Sequence, residues 1–188
     1  MKIKIEDNFL EQEKFDKINL MINPMVGPNP FLNSQNFAWY FRYRYYALKD
    51  KEKDIDELDQ FQFTHTFYED GIPQSQYMKQ LDCFLELIHP LSILRITANL
   101  HTRLPTIVEN PFHTDMAFLL EEKAKQWTTS IFYVNTNDGY TEFEDGTKVE
   151  SVANRMLTFP ANMKHTGTTC TDQQIRIVIN FNYYKSTT

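Results

Sequence analysis

The 188-residue chain has little cysteine, little glycine and no long apolar run. Cys83 and Cys170 are its only two cysteines, too few for a disulfide framework, and they form no CxxC pair. Two free thiols fit a reducing cytoplasm. Five glycines and no repetitive tract argue against disorder. No apolar stretch approaches the ~20 residues of a membrane span, so no membrane association is expected. The opening "MKIKIEDNFLEQEKF" mixes acids and bases without an apolar h-region, so no signal peptide is expected either. Gly-rich phosphate loops and serine nucleophile elbows are absent. Basic residues are outnumbered, 19 against 25 acidic, for a net charge of −6. That balance disfavours a polynucleotide partner, while leaving room for a local basic groove.

Aromatic residues are plentiful, with 15 Phe and 10 Tyr. The length suits one domain over residues 1–188, with enough chain for a sizeable core. Residues 1–90 read as a support region of helix and strand, and residues 91–184 as a β-rich core. After the strand-like "KIKI", Asn8 and Glu11 resemble a capping box. Phe15, Ile18 and Ile22 then recur at helical spacing, up to Pro24. "MVGPNPFLN" is a turn-rich loop. "FAWYFRYRYYAL" alternates Phe37, Trp39, Phe41, Tyr43 and Tyr45 with Ala38, Tyr40, Arg42, Arg44 and Tyr46, as a strand would. "KDKEKDIDELDQ" is a solvated charge run, and "FQFTHTFY" is another strand. "SQYMKQLDCFLELIHP" carries Tyr77, Met78, Leu81, Phe84, Leu85 and Ile88 on one helical face and stops at Pro90. Beyond Ile93 the rhythm changes. "ILRITANLH", "NPFHTDMAF", "TTSIFYVN", "YTEFED", "NRMLTFP" and "QIRIVINFNYY" are short β-type runs, as in a sandwich, jelly roll or barrel.

"NPFHTDMAF" raises the chemical question. On a strand, residues two apart share a side, so His113 and Asp115 would present an imidazole and a carboxylate together. Alone, an HxD is as well explained by a hydrogen-bonded strand histidine. His165, after "RMLTFP", offers a third ligand from across the barrel. Two His and one carboxylate on one octahedral face leave positions open, as in non-haem Fe(II) oxygenases. In "QIRIVINFNYY", Arg176, Val178, Asn180 and Asn182 oppose an apolar face of Ile175, Ile177, Ile179, Phe181 and Tyr183. Burying Arg176 there is costly without an anion, and its planar fork suits a carboxylate. A salt bridge to a protein acid is the plainer account of Arg176, and a core phenol bonded to the backbone is the plainer account of Tyr133.

The order HTD, SIFYVN, GYTEF, RMLTFP, His165, Arg176 resembles the 2-oxoglutarate- and Fe(II)-dependent dioxygenases of the prolyl 4-hydroxylase type. The likeness is to the short single-domain members found in bacteria and phages, and it covers residues 91–184. It implies a mainly β double-stranded β-helix, a cupin-like jelly roll, buttressed by N-terminal helices. It implies His113, Asp115 and His165 as iron ligands. Arg176 would bind the distal carboxylate of 2-oxoglutarate, with Tyr133 beside it. O₂ would be the co-substrate, and hydroxylation of a C–H bond would yield succinate and CO₂. "GYTEFEDG" resembles the family's Gly-Gly-x-Thr-x-Phe segment, with Tyr140 in place of the second glycine. "MAFLLEEKAKQW", residues 116–127, borders the substrate entrance in relatives. Family analogy points to a peptide or protein substrate, with small molecules as the other class. The compartment is the cytoplasm, a host cell's for a phage-encoded member.

Two alternatives stay open: a jelly-roll binding protein without catalysis, and a non-oxygenase metal enzyme such as a zinc hydrolase. His89 is read as a helix-end residue, and His65 and His101 as structural. His101 with Arg103 forms a cationic pair on one strand face. Asn99 is a candidate to line the site, and Arg42, Arg44 and Arg95 are read as facing solvent.

Overall fold

A computed structural model describes residues 3–26, 37–43 and 61–185. Its elements are β1 (Lys4–Glu6), α1 (Gln12–Ile22), β2 (Tyr40–Tyr43), β3 (Phe61–Glu69) and β4 (Ile72–Pro73). A 3-10 turn (Met78–Leu81) leads into α2 (Asp82–Ile88), followed by β5 (Ser92–Thr102), α3 (Glu121–Ala124) and β6 (Trp127–Tyr133). β7 (Tyr140–Phe143), β8 (Lys148–Glu150), β9 (Arg155–Pro160), β10 (His165–Gly167) and β11 (Ile175–Tyr184) complete the chain.

Among the described residues the strands form an eight-stranded sheet, ordered β1-β9-β6-β11-β5-β3-β2 with β4 on β3, and a three-stranded sheet, β10-β7-β8. All pairings are antiparallel. A large and a small antiparallel sheet of this kind make the jelly roll that the strand pattern implies. β1 pairs with β9 and β3 with β5, so the N-terminal region supplies strands to the same sheet as the C-terminal one.

Alternation along the strands separates two cores. Ile175, Ile177, Ile179, Phe181 and Tyr183 of β11 join Ile96, Ala98 and Leu100 of β5 and Phe132 of β6 on the outer face. Phe15, Ile18 and Ile22 of α1 and Phe84 and Ile88 of α2 cover that face. Phe84 stands edge-on to Phe132 at 4.7 Å between ring centroids and lies 5.0 Å from Phe181. The other face, toward the small sheet, packs Ile131, Tyr133, Phe143, Val149, Leu157, Phe159 and Val178 together. Helices therefore close one side of the large sheet, and the inter-sheet side holds the polar residues of β11.

Several local expectations are corrected. The Asn8–Glu11 capping box does not form. Asn8 adopts a left-handed φ of 52°, and α1 begins only after Glu11, with no side-chain cap. Asn154 holds this entry segment instead: its Oδ1 accepts from Leu10 N at 2.9 Å and its Nδ2 donates to Leu10 O at 2.8 Å. The second helix is shorter than its periodicity suggests, because residues 78–81 wind as a 3-10 turn. It ends at His89 in a left-handed conformation, just before Pro90. The strand expected over residues 37–48 spans Tyr40–Tyr43 among the described residues. Arg44 to Leu48, the charge run, and most of "MVGPNPFLN" lie outside the described residues.

The largest correction falls on "NPFHTDMAF", which is not a strand. His113 makes one isolated bridge with His165, and Glu109 another with Thr168. Between them this segment spans one residue more than its partner. Pro111 has no N–H to give a rung there. Thr166 Oγ1 takes up the carbonyl of Asn110 at 2.6 Å, and Asn110 Nδ2 donates to Gly167 O at 2.9 Å.

Candidate metal centre

The backbones of His113 and His165 are direct partners. Each N–H donates to the other's carbonyl at 2.9 Å, which sets the two rings 4.8 Å apart. Asp115, at the turn that follows, brings its carboxylate against both. Its Oδ1 lies 3.7 Å from His113 Nε2 and 3.9 Å from His165 Nε2. One ligand atom from each of the three residues falls within a span of 4.8 Å. His113 and Asp115 converge through a bridge and a turn, where a strand was expected. His165 reaches them from the adjacent strand, where a position across the barrel was expected.

The opposite atom of each side chain is engaged elsewhere. His113 Nδ1 lies 3.2 Å from Pro111 O, and His165 Nδ1 lies 3.1 Å from Met163 O. Carbonyls only accept, so each ring carries its proton on Nδ1 and turns a lone pair outward from Nε2. Asp115 Oδ2 accepts from Asn182 Nδ2 at 2.8 Å and from Thr129 Oγ1 at 3.2 Å, leaving Oδ1 toward the histidines. Two imidazole nitrogens and one carboxylate oxygen, oriented by such partners, fit a divalent transition metal with open positions.

The electrostatics agree. His113 is less enclosed than His165, with 29% of its side chain open against 3%. Burial is nevertheless the main cause that lowers its pKa, to about 4, followed by the neighbouring His165. Burial pushes the Asp115 carboxyl upward, but His165, His113, Asn182 and Arg95 outweigh it and hold the pKa below its ordinary value. A neutral imidazole and an ionised carboxylate are the forms a metal takes up.

Arg176 and Tyr133 lie deeper on the same inter-sheet face. Arg176 is 2% exposed and stands opposite His101 in register. Its Nε donates to Ser151 Oγ at 2.8 Å and its Nη2 to Tyr140 O at 3.3 Å. Its guanidinium carbon lies 5.7 Å from the centre of the Tyr133 ring. Tyr133 is fully buried and donates to Thr141 Oγ1 at 2.8 Å. Burial raises the pKa of that phenol, with Arg176 opposing. Gly139 explains how "GYTEF" tolerates its tyrosine. A Cβ at Gly139 would come within 2.6 Å of Thr169 O and 2.7 Å of Arg176 Cδ. The close approach is thus required at the first position only. Tyr140 points away, donating its hydroxyl to Glu109 at 2.6 Å.

His101 and Arg103 do not form the expected cationic pair. His101 is buried, and burial together with Arg176 lowers its pKa to about 3, while Arg103 is exposed beyond the end of β5. His65 is structural, held between Ala38 O and Ser75 Oγ at 2.7 Å each. Arg42 is exposed, as expected, but Arg95 is not a solvent residue. It is partly buried and donates to Asn182 Oδ1 at 3.4 Å. Ser151, Thr129 and Asn182 were missed as site residues. Only Asn182 left a sequence signal, its place on the Arg176 face of β11. Residues 116–127 carry α3 beside the centre. Met116 is buried with Ala124 and Ala161, while Phe118 and Leu120 stand 68% and 74% exposed.

No family model matches the chain, and no curated protein sequence does. Solved structures do. A prolyl-4-hydroxylase of Pseudomonas putida matches with a TM-score of 0.55 at 10% identity, covering 97% of this chain and 92% of that one. A prolyl hydroxylase of Trichoplax adhaerens, solved with a hypoxia inducible factor oxygen degradation domain peptide fragment, matches at 0.59 and 12%, covering 97% and 83%. The alpha-ketoglutarate-dependent epimerase SnoN of nogalamycin biosynthesis matches at 0.63 and 11%, covering 97% and 78%. The chain has the fold of the prolyl 4-hydroxylase-like 2-oxoglutarate oxygenases. At these identities the likeness speaks for the fold. Within this oxygenase fold, the His113–Asp115–His165 cluster and the Arg176–Tyr133 pair share the space between the two sheets.

Proposed function

We propose that the chain is an Fe(II)- and 2-oxoglutarate-dependent dioxygenase that hydroxylates a C–H bond of its substrate. The balance is R–H + 2-oxoglutarate + O₂ → R–OH + succinate + CO₂, in which substrate and 2-oxoglutarate each lose two electrons and O₂ gains four. The observation that carries the reading is the orientation of the donor set. His113 Nε2, His165 Nε2 and Asp115 Oδ1 face one another, while the other atom of each group is hydrogen-bonded away.

Iron(II), when bound by these three residues, supplies the activation of O₂ that couples decarboxylation to hydroxylation. The protein's part is binding and orientation. Arg176 takes the distal carboxylate of 2-oxoglutarate, held ready by Ser151 and the Tyr140 carbonyl. Tyr133 closes the other side of that carboxylate. Ile131, Leu157, Phe159 and Val178 keep water from the space between the sheets. The Trichoplax neighbour was solved with a peptide, which supports a peptidyl substrate here, with a small molecule as the other class.

Anaerobic titration of the protein with Fe(II) and then 2-oxoglutarate tests this. A weak visible charge-transfer band should appear, vanish in His113→Ala, and require far more 2-oxoglutarate in Arg176→Ala. Wild-type protein that binds neither iron nor 2-oxoglutarate sinks the reading. Binding of both without any succinate formed under O₂ favours the binding-protein alternative. Iron uptake that is indifferent to 2-oxoglutarate favours a different metal enzyme.

A further inference from the structure

On the inter-sheet face, β5 and β11 bring two arginines to opposite ends of one row. Arg176 pairs with His101 at one end, and Asn182 pairs with Arg95 at the other. Arg176 and Asn182 are six positions apart on β11, roughly 20 Å of strand. The metal donors lie at the Arg95 end, because Asn182 bonds Arg95 through Oδ1 and Asp115 through Nδ2. On the proposed function, 2-oxoglutarate runs from the metal toward Arg176. The opposite side, where Arg95 stands, is then left to the substrate.

Arg95 is suited to that place. Among the described residues no carboxylate lies within salt-bridge distance of it, although Glu69 is its register partner on β3. Its one side-chain hydrogen bond among the described residues, to Asn182, is long at 3.4 Å. Asp115 is the anion whose charge it feels, but the two make no direct ion pair, so the fork of Arg95 is open to a planar carboxylate. Between the two arginines lie Thr97 and Asn180, opposite each other in register. Thr97 Oγ1 and Asn180 Oδ1 are buried with no hydrogen-bond partner among the described residues. Native proteins rarely leave such atoms unpaired unless a ligand or water completes them. The row thus combines a cation without a direct ion pair and two buried polar atoms without partners among the described residues, and Asn182 ties its Arg95 end to Asp115.

We infer that Arg95 is the substrate anchor of this site and that the substrate presents a carboxylate to it, close to the carbon that is oxidised. One guanidinium balances one negative charge. A dianionic phosphate would sit one side chain from the buried Asp115 with a charge to spare, so a carboxylate is the better match. The carboxylate has two sources, a free amino or organic acid and an Asp or Glu side chain within a peptide.

The test uses the protein loaded anaerobically with Fe(II) and saturating 2-oxoglutarate. Free aspartate and glutamate, and capped peptides with a central Asp or Glu, are titrated by calorimetry and by the visible band. Asparagine, glutamine, the corresponding peptides and a phosphoserine peptide are the controls. A carboxylate probe should bind about tenfold or more tightly than its amide. Preference among the free acids or among the peptides identifies the source. Arg95→Gln should abolish the preference and Arg95→Lys should keep part of it, with iron and 2-oxoglutarate still bound in both. The inference is overturned if no carboxylate is preferred, if phosphoserine is preferred over every carboxylate, or if the preference survives in Arg95→Gln. Loss of iron in Arg95→Gln also overturns it, since Arg95 would then act through Asn182 on Asp115. Failure of the wild-type protein to take up iron and 2-oxoglutarate is seen before any probe is added and removes the dioxygenase reading itself.

Discussion

His113 and His165 exchange both backbone hydrogen bonds at 2.9 Å in a bridge that extends no further on either side. One rung therefore fixes two imidazoles side by side. Asp115 completes the set from the turn that follows. The orientation of that carboxylate depends on a residue 67 positions away, Asn182, which holds Oδ2 at 2.8 Å.

Asn182→Ala should lower the affinity for Fe(II) by roughly 10- to 100-fold, the usual cost of removing such an orienting partner. The protein should remain folded, because the variant opens no apolar core. Calorimetric titration with the metal, beside a circular dichroism spectrum, checks both halves. An unchanged metal affinity would mean that Thr129 alone orients Asp115.

Gly139→Ala should disturb the Arg176 side of the site and spare the metal donors. The added Cβ would meet Thr169 O, Arg176 Cδ and Asn137 Oδ1 at under 3 Å, so Arg176 and the Thr169 backbone have to move apart from it. We expect the 2-oxoglutarate dissociation constant to rise about tenfold or more, about 1.4 kcal/mol, with metal affinity retained. Equilibrium binding of 2-oxoglutarate to the metal-loaded variant measures it.

His101 makes stability fall in acid. Its pKa is lowered to about 3 in the folded protein, mainly by burial and then by Arg176, against an ordinary value of about 6.5 in the unfolded chain. The unfolded state therefore binds the extra proton. The stabilisation is complete above about pH 6.5 and is lost progressively toward pH 3, at up to about 1.4 kcal/mol per pH unit. Urea unfolding of the metal-free protein between pH 8 and 4.5 should show this decline, and His101→Gln should make it shallower, with His113, whose pKa is lowered to about 4, supplying much of the remainder. A His101 ring whose NMR signals titrate near pH 6.5 in the folded protein would contradict it.

Phe84→Ala should cost about 3–5 kcal/mol of stability. The ring is fully buried and packs on Phe9, Phe132 and Phe181 between α2 and the large sheet. Chemical denaturation reads the loss. The metal donors lie across the sheet, so metal affinity of the folded fraction should not change.

Much of the fold was legible because β11 alternates so cleanly: Ile175, Ile177, Ile179, Phe181 and Tyr183 go to the helices, and Arg176 and Val178 to the inter-sheet space. The Phe15–Ile18–Ile22 spacing marked α1 in the same way, while its start was misread because Asn8 takes a left-handed turn. β8 escaped notice, and β10 was marked only by His165 at the start of a late strand or loop, since three-residue strands carry no period of their own. His165 to Gly167 is a strand only because β7 and the segment before Asp115 flank it. The HxD stretch was read as a strand, and the missing N–H of Pro111 breaks the ladder there. Arg95 was read as a surface charge. Its place beside the centre follows from the register of β5 with β11, which no local pattern encodes.

The central claim is that His113, Asp115 and His165 hold iron and Arg176 holds 2-oxoglutarate. A crystal structure of the protein grown anaerobically with Fe(II) and 2-oxoglutarate tests it most directly. We predict one metal ion bound by His113 Nε2, Asp115 Oδ1 and His165 Nε2, with the distal carboxylate of 2-oxoglutarate on the Arg176 guanidinium. A metal bound at other residues, or 2-oxoglutarate bound away from Arg176, would contradict it.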